Sequence, residues 1–273
     1  MIAGVEPTAR GGLGPAFSAV RTRRGLVLLL VALAVAGWWW TAGQMHGMDN
    51  GPWSDLGAFG WFLSVWIVMM AAMMVPSVAP TVALYARMTG QRSPRRPLVF
   101  VSGYLLTWAA AGVVAFVIWA TIDAVSGDVF AWDHAGRWVA GAALLLAAVY
   151  QFTPLKDACL ARCRSPLGLL LGGWRDGASG ALVMGAQNGA SCVGCCWALM
   201  GALFALGIMS LVWMALIAAL IALEKTLPWR RIALYGTAVV IGGLGLLVLV
   251  APSSVPGLTT PGNAPMQPMS SMS

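Results

Sequence analysis

The residues best suited to chemistry lie in one apolar run, Gly185-Ala-Gln-Asn-Gly-Ala-Ser-Cys-Val-Gly-Cys-Cys-Trp197. In a helix, Asn188, Cys192, Cys195 and Cys196 share a face, because their spacings of three and four residues follow the helical turn. Thiols and an amide sit poorly against lipid tails, so this face should look into protein. Thiolates are soft ligands that select Cu(I), Zn(II) or iron–sulfur clusters, which makes the three cysteines candidate metal ligands. A plainer alternative is that they pack as small hydrophobes, with Gly185 and Gly189 on an ordinary helix-contact stripe.

A second soft-donor stripe lies in Met69-Met-Ala-Ala-Met-Met-Val-Pro76, where Met69, Met70, Met73 and Met74 occupy one broad side of a helix. Methionine often serves as flexible core filler. At a rise of about 1.5 Å per residue, however, Met69 and Cys192 both fall near the middle of a membrane span. Met69 and Met73 are therefore candidate thioether partners for the thiols, a mixture that suits Cu(I). Weaker candidates are Asn188; Met45, His46 and Met48 in the first loop; and Met266, Met269 and Met272 in the C-terminal tail. Flexible Met and His donors can collect copper at an oxidising surface without forming disulfides. Cys159 and Cys163, as Cys-x3-Cys in a basic connection, are either a relay pair or two reduced thiols. His134, beside Asp133, reads as structural.

Placing these residues requires a membrane. Of 273 residues, 59% are hydrophobic and only 9% charged, which excludes a soluble enzyme. The unbroken apolar runs also argue against a β-barrel, whose strands alternate. The expected fold is all-α, a polytopic transmembrane bundle of about seven spans at 26–42, 57–79, 98–120, 137–153, 181–204, 208–223 and 232–251. The net charge of +7 does not point to nucleic acid, since fifteen of the 16 basic residues form four clusters between runs. The clusters are Arg10, Arg21, Arg23, Arg24; Arg87, Arg92, Arg95, Arg96; Lys156, Arg162, Arg164, Arg175; and Lys225, Arg230, Arg231, with Arg137 the exception. Their alternation predicts a cytoplasmic N-terminus and an outer C-terminus.

The first run has the form of a signal peptide ending at Ala34-Val-Ala36, but Trp38, Trp39 and Trp40 suit the interfacial end of an uncleaved anchor, the preferred reading. The fourth run is short for a span and should extend backward past Arg137 or lie buried among its neighbours. Within the long connection 153–180, the apolar stretch 165–174 suggests a short interfacial helix. Residues 1–25 read as a disordered basic arm, 26–251 as the helical domain and 252–273 as a disordered Met/Pro/Ser tail. Glu224 is the single carboxylate in the spans, paired in this reading with Lys225 near the headgroups, so no proton-relay chain is expected. No phosphate loop, Ser/His/Asp set or zinc-protease motif is present, which points away from an enzyme.

Several blocks look alike in a known family. Met69-Met-Ala-Ala-Met-Met-Val-Pro-Ser77, Gly103-Tyr-Leu-Leu-Thr-Trp108, Tyr150-Gln-Phe-Thr-Pro-Leu-Lys156 with Cys159, Cys163 and Arg164-Ser-Pro-Leu167, and Cys192-Val-Gly-Cys-Cys-Trp-Ala-Leu-Met200 resemble the DUF2182 family over about residues 57–228. That family is described as predicted metal-binding integral membrane proteins of bacteria, so the resemblance implies membrane metal handling. Its pattern has a histidine shortly before the first cysteine of the last block, where this chain has Asn188; a site using that imidazole would here be weaker or purely sulfur-based. The leading expectation is a soft-metal protein, with Cu(I) as cargo, the bilayer as surroundings and a protein partner in metal delivery. The alternatives are a membrane thiol–disulfide oxidoreductase using Cys192 and Cys195, or a structural subunit whose cysteines only pack.

Overall fold

The structure is a computed structural model and describes residues 24–45, 58–89, 95–126, 136–206, 210–227 and 229–252. Among these residues there are nine helices: α1 (Arg24–Met45), α2 (Phe59–Thr89), α3 (Arg96–Ser126), α4 (Arg137–Tyr150), α5 (Pro154–Arg164), α6 (Pro166–Gly172), α7 (Gly177–Leu206), α8 (Leu211–Thr226) and α9 (Arg230–Val250). The expected all-α class holds, and each of the seven apolar runs is helical. The count of seven spans is not established. Four helices, α1, α2, α3 and α9, are long and apolar enough to cross a membrane, or five spans if α4 and α5 count as one broken span. The expected tail disorder falls, but for a few residues, outside the described residues.

Three element boundaries matter for the site. First, α2 continues through Pro76 and Pro80 to Thr89 rather than ending near 79. Proline removes a backbone donor but is tolerated in apolar helices whose neighbours satisfy the freed groups. Second, α4 ends at Tyr150 and the chain bends by 66° into α5, while the residues before Gly136, where a backward extension would lie, are outside the described residues. The bend is encoded in Tyr150-Gln-Phe-Thr-Pro154. Thr153 caps α5 by accepting a hydrogen bond from the Lys156 backbone N–H, and Pro154 takes the first helical position, where no N–H is needed. Third, the short helix expected within 165–174 is α6, after which Gly177 at φ +82° turns the chain into α7.

Helix α7 is the hub. It packs along α3 and also meets α4, α5 and α8; α2 lies against α1 and α3, and α9 against α4. Glycine sets the α3–α7 approach. A Cβ on Gly103 would strike the Leu182 carbonyl, and one on Gly185 the Phe100 carbonyl; at Gly189 it would lie 2.9 Å from the Tyr104 carbonyl oxygen. Thr107 Oγ1 then donates across the seam to the Ala186 carbonyl at 3.2 Å. Close helix contact through small residues and cross-helix hydroxyl bonds is how helices associate where the surroundings are as apolar as the side chains. Large apolar side chains such as Leu28, Val117, Leu146 and Val239 remain exposed, which is compatible with lipid surroundings.

Candidate metal centre

Cys192, Cys195 and Cys196 lie on α7 where it faces α3, α5 and α8, and all three are buried. Their sulfurs lie within 4.8 Å of one another, with Cys192 and Cys196 Sγ 4.0 Å apart. The i, i+3, i+4 spacing produces this cluster directly. The Cys195 and Cys196 thiols donate to the Cys192 carbonyl at 3.1 and 2.8 Å.

Two groups from distant parts of the chain converge on Cys192 Sγ. The Tyr104 hydroxyl of α3 donates to it at 3.1 Å, and the Lys225 ammonium of α8 donates at 3.1 Å. Lys225 also reaches Ser77 Oγ at 3.1 Å and Met74 Sδ at 4.0 Å. A lysine expected at the headgroups is thus aimed inward. Its sequence neighbour Glu224 does not pair with it, because adjacent residues on a helix diverge by about 100°. Glu224 instead forms a fully buried ion pair with Lys156 of α5, with Nζ and Oε2 2.8 Å apart. That corrects the expected Glu224–Lys225 pair.

The ion pair is one of three ties that fix α5 to α8 and α9. Arg164 donates to the Glu224 carbonyl at 3.1 Å and to the Leu227 carbonyl, capping the C-terminal end of α8 where unpaired carbonyls collect. Arg230 pairs with Asp157 at 3.0 Å in a half-exposed position that contributes little by itself. So held, α5 presents Cys163 Sγ 3.8 Å from Cys195 Sγ. Cys159 lies against Gly194, where an added Cβ would come within 2.6 Å of its sulfur. The Tyr150 hydroxyl fixes the same point of α7 by donating to the Gly194 carbonyl at 2.6 Å.

The arrangement fits one soft ion. Metal–thiolate bonds of about 2.3 Å, the Zn–S length, allow two sulfurs on one ion to lie up to about 4.6 Å apart, comparable with the spacing found. A cavity of about 10 Å³, room for a single small species, is lined by Ser77, Thr81, Tyr104, Cys163, Cys192 and Lys225, together with Val78 and Asn188. Asn188, a weaker candidate, is buried beside the sulfurs.

The methionine stripe is buried, as expected of residues turned from lipid. The α2 residues lining the cavity are nevertheless Ser77, Val78 and Thr81 rather than Met69 or Met73. The stripe approaches the site at its Met74 end, where Lys225 reaches the Met74 sulfur at 4.0 Å, and the next turn of α2 supplies the cavity wall. Met45 ends α1, but its side chain, with His46, Met48, His134, Met266, Met269 and Met272, lies outside the described residues. Tyr104 and Lys225 were missed by sequence reasoning. Tyr104 had no signal beyond its place in Gly103-Tyr-Leu-Leu-Thr-Trp108, and Lys225 only that of a lysine one residue from the sole carboxylate of the spans.

Helical fold and site together define a class: proteins of long apolar helices that enclose a buried cluster of soft sulfur donors. A family model described as "PpoB2: Copper chaperone" matches residues 63–248, and the chain belongs to that family. The match supports the copper side of the sequence expectation, under a different family description from the DUF2182 resemblance. No curated protein and no solved structure matches the chain.

Proposed function

We propose that the protein is a non-enzymatic, membrane-embedded copper chaperone that holds Cu(I) on Cys192, Cys195 and Cys196 and exchanges it with a protein partner. The observation that carries this reading is the buried thiol cluster with every sulfur within 4.8 Å of the others, in a chain of a copper chaperone family. Cu(I) suits it better than Zn(II), because structural zinc usually takes four protein ligands in a closed tetrahedron, whereas Cu(I) accepts fewer and softer donors. The Lys225 ammonium is a counter-charge that offsets the negative charge of thiolates coordinating a monovalent ion in an apolar interior. Asn188 lines the same cavity, Met69 and Met73 are buried on α2 outside that lining as further soft donors, and Met45, His46 and Met48 of the first loop with Met266, Met269 and Met272 of the tail would gather the ion. The bacterial inner membrane, with a cytoplasmic N-terminus and an outer C-terminus, is the location that fits the basic clusters.

The test is copper retention. Detergent-purified protein, reduced and loaded anaerobically with Cu(I), should keep copper through desalting, and a Cys192/Cys195/Cys196→Ser triple variant should not. Equal retention would make the three cysteines packing residues. One observation favours a second reading, a thiol–disulfide oxidoreductase: Cys163 and Cys195 face each other from different helices at 3.8 Å. Its mark would be a reversible disulfide between these two residues, formed without copper.

A further inference from the structure

Resting on that reading, the geometry points to Cys159 and Cys163 as an entry path by which a small anionic Cu(I)–thiolate complex passes its ion to the buried thiols. The five cysteines are not two unrelated groups. Cys159 and Cys163 are half-buried, whereas Cys192, Cys195 and Cys196 are buried, so accessibility falls from α5 to α7. The sulfurs follow the same order. Cys159 and Cys163 are one helical turn apart on α5, a spacing that puts their Cβ atoms about 5–6 Å apart on one face. Cys163 Sγ is 3.8 Å from Cys195 Sγ, which belongs to the buried cluster.

The path is built into the packing. Gly194 is the residue of α7 that the Cys159 sulfur covers, and any larger side chain there would displace it. A helix free to float could not hold that contact. The Lys156–Glu224 pair and the Arg164 cap fix α5 to α8, the helix that also brings Lys225 to Cys192. A relay needs this rigidity, since an ion moves between sulfurs only where the next donor can bind before the last one leaves.

The donor class follows from the charges at the entrance. Arg162 is exposed three residues after Cys159, and the half-exposed Arg230 of α9 offsets the one acid of that short helix, Asp157, so the excess charge there is positive. An anionic complex is drawn to such a surface, and a cationic one is repelled. The step is a ligand exchange without redox change. A Cu(I)–S bond to Cys159 forms as one to the donor thiolate breaks, and the Cys159 thiol proton passes to the departing thiolate. Repetition at Cys163 and then Cys195 carries the ion inward while copper remains Cu(I).

The experiment loads the full chain anaerobically in detergent with Cu(I)–glutathione and follows the ultraviolet Cu(I)–thiolate absorption in time, then measures bound copper after desalting. Cys159→Ser should slow loading by roughly tenfold or more, because a tethered first ligand makes capture by the interior an intramolecular step, and should leave the final copper content unchanged. A Cu(I)–cysteamine complex, whose ligand is cationic, should load the wild type more slowly than the glutathione complex. Unaltered kinetics in Cys159→Ser would overturn the entry path, and so would a lower final content, which would make Cys159 a holding ligand. Equal rates for the two donors would overturn the assigned donor charge. None of these touches the holding site, which fails only if the Cys192/Cys195/Cys196→Ser variant keeps its copper.

Discussion

Glu224→Gln should cost the protein about 3–5 kcal/mol, far more than an ordinary surface substitution, because it removes one half of a buried ion pair. Lys156 and Glu224 are 0% and 2% exposed and 2.8 Å apart. Apart from this pairing, neither Lys156 Nζ nor Glu224 Oε1 has a hydrogen-bond partner. Without the carboxylate, the ammonium stays in an apolar interior with no neutralising charge. Replacing both residues by apolar ones of similar size, as in Lys156→Met with Glu224→Leu, removes both desolvation costs with the attraction and should be close to neutral. The Lys156→Met and Glu224→Leu single variants complete a cycle with it, and the difference between their summed losses and the double loss is the coupling, expected at about 3 kcal/mol or more on the same reasoning. Unfolding of the purified chain with increasing dodecyl sulfate, followed by tryptophan fluorescence, measures all four proteins. Additive single losses would refute the reasoning, since they would mean that the two charges do not depend on one another.

Gly185→Ala should destabilise by about 1–3 kcal/mol, because its Cβ meets the Phe100 backbone and α3 must move. Gly201→Ala, where nothing lies within 4 Å, should be neutral or gain up to about 1 kcal/mol from helix propensity; the same titration compares them, and equal effects would contradict the close α3–α7 seam. Tyr104→Phe removes one of the two donors on Cys192 Sγ and should weaken Cu(I) retention by roughly tenfold, as loss of a partner to a metal ligand commonly does. Competition with a chromophoric Cu(I) chelator gives the affinity, and an unchanged value would remove Tyr104 from the site.

Local pattern made the helices and the thiol face readable, and long-range contact hid the rest. Cys192, Cys195 and Cys196 cluster through helical spacing alone, so separations of three and four residues sufficed to foresee it. The Gly185 and Gly189 stripe likewise marked a close helix contact, but not that α3 would fill it. Cys163, Tyr104 and Lys225 join from 32, 88 and 33 residues away. No periodicity within one segment encodes such a meeting. Lys225 misled because a basic residue at a helix end resembles a headgroup anchor, and only the packing of α8 against α5 and α7 turns it inward. Counting depth from the start of each span placed Met69 level with Cys192; the cavity instead takes its α2 wall from Ser77, Val78 and Thr81, because depth along one helix does not fix how two helices are staggered.

The most direct test of a buried sulfur site for Cu(I) is X-ray absorption at the copper edge of the loaded, reduced wild-type chain in detergent. The account predicts a Cu(I) edge with sulfur as the nearest scatterer, and loss of that signal in the Cys192/Cys195/Cys196→Ser variant. A nearest shell of nitrogen or oxygen, or a sulfur shell that survives the triple substitution, would contradict it.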